Sequence, residues 1–114
     1  MKLSKINYIH KRIKIPYYSG EILVFIVEDK ITLNSYSLDK KELDGYTYRD
    51  GSFYVMVLHK KSLTSTIVHE SIHIVNFIFK DRGVKLDINN DEHQAYFTTW
   101  VFEECEKVLN KYKS

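Results

Sequence analysis

The sequence predicts an α+β fold in which a small, mostly antiparallel sheet is followed by two helices. Apolar, β-branched runs separated by turn signals occupy the first half of the 114-residue chain, and the second half contains two long segments with helical periodicity. Strands that precede helices, rather than alternating with them, are typical of this class. A chain of this length has room for one domain, so we expect residues 1–114 to fold as a unit.

Apolar periodicity and turn residues define the elements of the first half. Ile6, Ile9 and Ile13 ahead of Pro16 favour a short N-terminal helix, although Ile13 and Ile15 also alternate as in a strand. The later runs are rich in β-branched and aromatic residues and are bounded by turn signals at 28–30, 44–45 and 50–51. They predict strands at Glu21–Val27, Ile31–Tyr36 and Phe53–Leu58, with Tyr46–Tyr48 between two turns.

Two helices are predicted in the second half. The first, Leu63–Lys80, is apolar nearly all round, so we expect it to be buried on most sides. Thr64 or Ser65 would cap its start and Gly83 would end it. The second helix runs from about Asp91 to Lys111 and would be capped by Asn89 or Asn90. The residues expected on its inner face are Ala95, Tyr96, Thr99, Trp100 and Phe102.

Composition excludes several classes of protein. Cys105 is the only cysteine, which excludes an internal disulfide and a cysteine-based zinc finger and suggests a reducing compartment. We expect this side chain to be a small buried group rather than a nucleophile. No apolar run approaches the roughly 20 residues of a membrane span, and Met1–Ile15 lacks the apolar core of a signal peptide. The sequence therefore predicts a soluble, cytoplasmic protein without a membrane partner.

Charge is nearly balanced overall but unevenly distributed. The net charge is +2, from 17 basic and 15 acidic residues. Residues 1–14 carry Lys or Arg at five positions and no acid, whereas residues 87–106 carry acids at six positions and no Lys or Arg. The basic end is either a phosphate-contacting arm or a solvated face. Its aromatic spacing does not suggest a base-stacking platform, so we expect no nucleic-acid partner.

The first predicted helix contains the string His69-Glu70-Ser71-Ile72-His73. Residues four apart lie one turn above each other on one helix face, so both imidazoles can reach one ion. Glu70 lies about 100° further round, where it can reach a metal-bound water without being a ligand. Zinc-assisted hydrolysis requires this division of roles: two histidines hold Zn²⁺, and the carboxylate takes the proton of the water that the ion activates. A pair of hydrogen-bonded core histidines is the alternative interpretation.

A catalytic zinc requires a third protein ligand. No HExxHxxGxxH extension follows His73 on the same helix, so we expect the ligand from the start of the second helix, which the connection is long enough to bring back. Glu92, His93 and Asp91 are the candidates, and the helix dipole favours an ionised carboxylate there. Glu92 has an alternative role as the capping-box partner of Asn89.

The two motifs together resemble a known family. The HExxH string at His69–His73, followed by Glu92-x-x-Ala95-Tyr96, is similar to the gluzincin-type zinc metallopeptidases. The closest likeness is to the small bacterial and phage enzymes of the ImmA/IrrE kind. It covers residues 53–105, about half the chain, and it is more specific in the first motif than in the second.

The resemblance implies a minimal zincin-like domain with a defined ligand set. Glu92 would be the third zinc ligand beside His69 and His73. The strand Phe53–Leu58 would be the sheet edge along which an extended peptide is held, and Tyr54 on that strand would line the substrate cleft.

Two positions depart from the family pattern. Ile72 stands where the family has Gly within its His-Glu-Leu-Gly-His string, so packing against this helix must differ. Tyr96 stands four residues after Glu92, where related enzymes often have an Asn or Asp that supports the site. Tyr96 is therefore a candidate catalytic residue that donates its hydroxyl to a developing oxyanion, and a core aromatic is its alternative role.

These features predict a zinc-dependent metallopeptidase that acts on a peptide or protein substrate, with Glu70 as general base. The main alternative is a zinc-site module that binds a partner protein without turnover. A regulator that contacts DNA through its basic first 14 residues is a third class of function, and salt-dependent binding to DNA would distinguish it.

Overall fold

In the computed structural model, which describes residues 10–38 and 42–113, four strands and three helices follow one another along the chain. Their bounds, in chain order, are β1 Lys11–Lys14, β2 Glu21–Val27, α1 Lys30–Asn34, β3 Gly45–Asp50, β4 Phe53–His59, α2 Thr64–Arg82 and α3 Glu92–Lys113. The strands form one mixed sheet in the order β1-β2-β4-β3. β2 and β4 run parallel, whereas β1 with β2 and β3 with β4 are antiparallel pairs. The predicted α+β class is confirmed at this level.

The predicted position of Phe53–Leu58 at the sheet edge is wrong. This segment belongs to β4, which lies between β2 and β3 and is buried from Tyr54 to Leu58. A strand that is paired on both sides and covered on both faces has a continuous apolar sequence, and this segment has one. The sheet edge beside α2 is β3, Gly45–Asp50.

Two elements predicted near the N-terminus also differ. The predicted strand Ile31–Tyr36 begins instead with the helix α1, because the Asp29 carboxylate caps that helix by accepting a hydrogen bond from the Thr32 N–H at 2.7 Å. Ile13 lies in β1 opposite Ile22 rather than in a helix, so its alternation with Ile15 was the relevant pattern. The rest of the predicted N-terminal helix, residues 1–9, lies outside the described residues.

Alternate side chains of the sheet pack into two separate apolar clusters. On β2, Ile22, Val24 and Ile26 pack with side chains of α2 and α3. The intervening side chains pack on the opposite face of the sheet, which α1 and the segment after it cover. The members of this second cluster include Leu23, Phe25, Val27, Leu33 and Tyr36. Burial on both faces explains why the β2 sequence is continuously apolar.

The start of α2 differs from the prediction and its end agrees with it. Leu63, rather than Thr64 or Ser65, stands at the N-cap and makes no side-chain capping hydrogen bond. Gly83 ends the helix as predicted, with a φ of 69°, in the left-handed region where glycine is favoured. In the described part of the chain, no helix is both long enough and apolar enough to cross a membrane.

The buried face of α3 lies about 100° from the predicted one. Tyr96 is 71% exposed and Ala95 and Thr99 are also exposed, so their predicted inward orientation is wrong. One residue is a 100° rotation on a helix, and the more apolar stripe is the one that packs on the core. Its members are Phe97, Val101, Cys105, Val108 and Leu109. The predicted burial of Cys105 is confirmed, and burial raises the pKa of its thiol to about 12.

Two buried tyrosines predict a loss of stability at high pH. Burial raises the pKa of Tyr36 to about 12, and burial together with a hydrogen bond to Asp81 raises that of Tyr54 to about 12. An unfolded tyrosine loses its proton near pH 10. The native state therefore holds these protons more tightly, and the stability that they contribute is complete below pH 10 and is lost as the pH rises to 12.

Urea unfolding between pH 9 and 12 measures this effect. We expect the free energy of unfolding to fall by at most about 1.4 kcal/mol per pH unit for each tyrosine in that window. The Tyr36→Phe and Tyr54→Phe variants, which lack the titrating group, should show a shallower decline than the parent chain. Equal slopes in all three proteins would contradict the assignment.

Candidate metal centre

His69 and His73 lie one turn apart on the exposed face of α2. Their Nε2 atoms are 3.2 Å apart, and their ring planes meet at 77°. Two nitrogens that each bind one tetrahedral zinc ion at about 2.0–2.1 Å would lie about 3.3–3.4 Å from each other. The two side chains therefore fit two adjacent positions around one zinc ion. A hydrogen bond between the rings is the other interaction that this distance permits.

The exposure of these histidines follows from one-sided burial of α2. Ile74 on the inner face is fully buried, whereas Val68 and Ile72 are 40% and 43% exposed. The expectation that α2 is buried on most sides is therefore wrong, because α3 and the sheet cover only one half of it. The histidines face solvent and can be reached by an ion.

Glu70 lies beside the histidine pair but points into the protein. Its side chain is 7% exposed, although the neighbouring residue His69 is exposed. Burial raises the pKa of the Glu70 carboxyl above its usual value, while the electrostatic influence of His69 and His73 and a hydrogen bond from Thr47 oppose that shift. The carboxyl is thus held on the β3 side of α2, next to the two imidazoles.

A glycine on β3 makes room for Glu70. A Cβ atom at Gly45 would lie 2.9 Å from Cγ2 of Thr66 and 3.0 Å from Cγ of Glu70. Contacts that short require the neighbouring side chains to move, so a larger residue at this position would displace the Glu70 side chain. The close approach of α2 to the edge strand therefore depends on Gly45.

His69, the first histidine of the pair, borders a cleft of about 440 Å³ between α2 and the segment before β3. His69 and Glu70 form one wall, and Asp44 and Glu42 form the other. Lys30 lies 3.5 Å from the Asp44 carboxylate and 3.9 Å from that of Glu42. The two acids of the opening are thus partly offset by Lys30, and the opening lies at the beginning of the edge strand β3.

The candidates for the third ligand do not lie beside the histidine pair. The His93 ring stacks on Phe79, with 5.2 Å between the ring centroids, and its Nε2 lies 2.8 Å from the Tyr18 hydroxyl. Phe79 follows His73 by six residues, which is about 9 Å along a helix. The first turn of α3 thus packs near the end of α2; the exposed Glu92 begins that turn, and the exposed Asp91 directly precedes it.

The predicted ligand set is therefore incomplete in this arrangement. Within residues 10–38 and 42–113, no three His, Cys, Asp or Glu side chains come together as metal ligands would. The physical reason is that α2 continues for nine residues beyond His73, to Arg82, so that α3 begins well past the motif. His69 and His73 fit a zinc ion, and Glu92 stays a prediction that rests on the resemblance.

Tyr54 lies away from the histidine pair. It is 1% exposed, and its hydroxyl donates a hydrogen bond to Asp81 at 2.7 Å, near the end of α2. Asp81 also pairs with Arg49 of β3. The structure therefore does not bring Tyr54 to the histidine pair, and its substrate-lining role stays a prediction that rests on the resemblance.

Tyr96 also lies outside the cleft that holds Glu70. Its exposed ring borders a separate aromatic cleft formed with Pro16, Tyr17, His93 and Trp100. The structure therefore does not bring the Tyr96 hydroxyl to the histidine pair, and its predicted oxyanion role has no geometric support in this arrangement.

Sequence reasoning did not identify the β3 side of the site. In the sequence, Asp44 and Gly45 indicate only a turn, and Thr47 only a residue of the segment that follows it. The one available signal was Gly45 itself, since a glycine next to a strand marks a close backbone approach as well as a turn.

Comparisons of the chain with protein-family models, with curated proteins and with solved structures find no match.

Proposed function

We propose that this protein is a zinc-dependent metallopeptidase whose metal is held by His69 and His73. The observation that carries the proposal is the 3.2 Å separation of the two Nε2 atoms beside a buried glutamate. Zinc bound there would supply a Lewis acid and lower the pKa of its bound water to about 7. Glu92 is the expected third ligand by resemblance alone, and its participation requires the first turn of α3 to approach the histidines.

In this proposal Glu70 is the general base. Its carboxyl lies on the cleft side of α2, where it accepts a proton from the attacking water and later returns it to the leaving amine. Burial raises the pKa of this carboxyl, which is the direction that favours both accepting the proton and returning it. Gly45 and Thr47 fix the position of this side chain from β3.

The exposed edge of β3 is the proposed substrate-binding strand. It begins at Gly45, next to Glu70, and among the described residues no strand pairs with its outer side, where an extended peptide would add to the sheet. In this proposal β3 replaces the predicted Phe53–Leu58 strand, and a peptide added to the sheet would pass the mouth of the cleft.

Zinc binding tests the proposal first. The purified chain should take up close to one zinc per molecule, and zinc should raise its melting temperature because a ligand that binds only the native state stabilises it. His73→Ala should abolish both effects. Metal analysis and thermal melts measure them, with His59→Ala as the matched control at a histidine outside the motif. Equal zinc content in the two variants would refute the proposal.

The role of Glu92 has a separate test. Glu92→Ala should weaken zinc binding by roughly tenfold or more if this carboxylate joins the histidines. Glu103→Ala removes an equally acidic, exposed side chain from the same helix and should leave affinity unchanged. The same affinity in both variants would show that the third ligand is another group.

A zinc-dependent binding module without turnover is the second candidate function. The observation that favours it is the separation of Glu92 from the histidine pair within the described residues. A peptide library incubated with the zinc-loaded protein separates the two functions, because only a peptidase produces new amino termini.

A further inference from the structure

Two neighbouring clefts at the C-terminal end of α3 share Tyr112, and half of their lining residues are lysines. One, of about 370 Å³, lies between β1 and α3, and the other lies beside the end of β4. We call the two together the lysine cleft. Its lysines are Lys11, Lys60, Lys61, Lys107, Lys111 and Lys113.

The charge of the lysine cleft exceeds that of the whole chain. Among the described residues, its six lysines face two acids, Glu104 and Glu28, which lie 2.9 Å from Lys107 and 3.3 Å from Lys60. The lining therefore carries a net charge of +4, whereas the protein carries +2. Separate parts of the sequence supply these lysines, and the basic segment 1–14 supplies only Lys11 among them.

An aromatic ring lies where the two clefts meet. Tyr112 is half-buried and lines both, and its ring contacts that of His10 edge-on with 4.7 Å between centroids. Burial lowers the pKa of His10, so the positive charge of the surface comes from the lysines. A basic groove with an aromatic side chain inside it is the arrangement on which single-stranded nucleic acids bind.

We propose that the lysine cleft binds single-stranded nucleic acid, through lysine contacts to phosphates and stacking of a base on Tyr112. This inference departs from the expectation drawn from the sequence, because the fold adds lysines of α3 and of the β4–α2 connection to the β1 lysine. A concave site with an aromatic ring suits a flexible strand better than a flat anionic membrane. The proposal is independent of the metal centre.

Fluorescence anisotropy with labelled oligothymidylate and oligouridylate of about 12 nucleotides tests the proposal on the full chain. If four phosphates are neutralised, affinity should fall about 50-fold between roughly 50 and 200 mM salt. Binding of both strands would assign the contacts to phosphate and base. Preference for the uridylate strand would add recognition of the 2′-hydroxyl. Both outcomes support the proposal.

Charge-matched variants locate the binding site. Lys11→Gln with Lys111→Gln removes two cleft charges and should reduce the logarithmic salt slope by about 1.4. Lys80→Gln with Lys85→Gln removes the same charge from exposed positions outside the cleft and should change affinity much less. Tyr112→Leu should weaken binding by roughly tenfold with an unchanged salt slope, and Tyr112→Phe should retain the affinity.

Three results would overturn the proposal. The first is no oligonucleotide binding at low salt, and the second is an equal loss in the two lysine double variants. The third is binding to polyglutamate or to vesicles containing phosphatidylserine without oligonucleotide binding, which would assign the surface to an acidic protein or a membrane. Circular dichroism of each variant ensures that a loss of binding is compared between folded proteins.

Discussion

A Glu70→Gln variant is expected to keep zinc and to lose peptide hydrolysis by about 100- to 10,000-fold, the usual contribution of a general base. Glutamine has the same shape but cannot accept the proton of the attacking water at neutral pH. The Glu70 side chain is only 7% exposed and packs closely against Gly45 of β3. Because glutamine fills the same space, the substitution should preserve this packing. Zinc content therefore separates loss of the base from loss of the metal.

Glu103→Gln is the matched control for this variant. Glu103 is exposed on α3, so the same chemical change there should leave turnover of the peptide library intact. Initial rates with zinc-loaded protein, corrected for metal content, measure both variants. Retained hydrolysis in Glu70→Gln would assign the base to another residue, and loss of zinc from it would make Glu70 a ligand instead.

The part of the site that is local in sequence could be predicted, and the part that depends on chain pairing could not. The spacing of His69 and His73 fixes their common face as soon as the segment is helical, so their convergence follows from helix geometry. The burial of Glu70 depends on Gly45, which lies 25 positions earlier in the chain. No periodicity within α2 contains that information.

The third ligand shows the same limit. The motif at Glu92 and the length of the connection allow an approach to His73, but they do not specify where α3 packs. The stacking of His93 on Phe79 places the first turn of α3 near the end of α2. Helix packing is decided by the whole apolar stripe of α3, which begins at Phe97 and not at the motif.

The sheet order was also beyond local sequence patterns. Phe53–Leu58 was correctly predicted to be a strand, and its continuous apolar sequence indicated burial. Its neighbours, however, are set by the parallel pairing of β2 with β4, which is a non-local choice. At Ile31–Tyr36 a local signal was available, because Asp29 three residues before Thr32 is a helix cap.

Ile74→Ala is expected to lower the free energy of unfolding by about 2–5 kcal/mol, the usual cost of truncating a buried isoleucine. Ile74 is 0% exposed and belongs to the cluster between the sheet and the two long helices. Truncation of its side chain leaves a cavity, and the neighbouring side chains relax to fill only part of it. An effect of this size is a large fraction of the stability of a small domain.

Ile72→Ala makes the same chemical change two residues earlier on the same helix. Ile72 is 43% exposed, so its truncation should cost well under half as much, since part of its surface already contacts water. Urea unfolding of both variants measures the difference directly. Equal losses would contradict the one-sided burial of α2 and, with it, the exposure of His69 and His73, because those imidazoles share the outer half of the helix with Ile72.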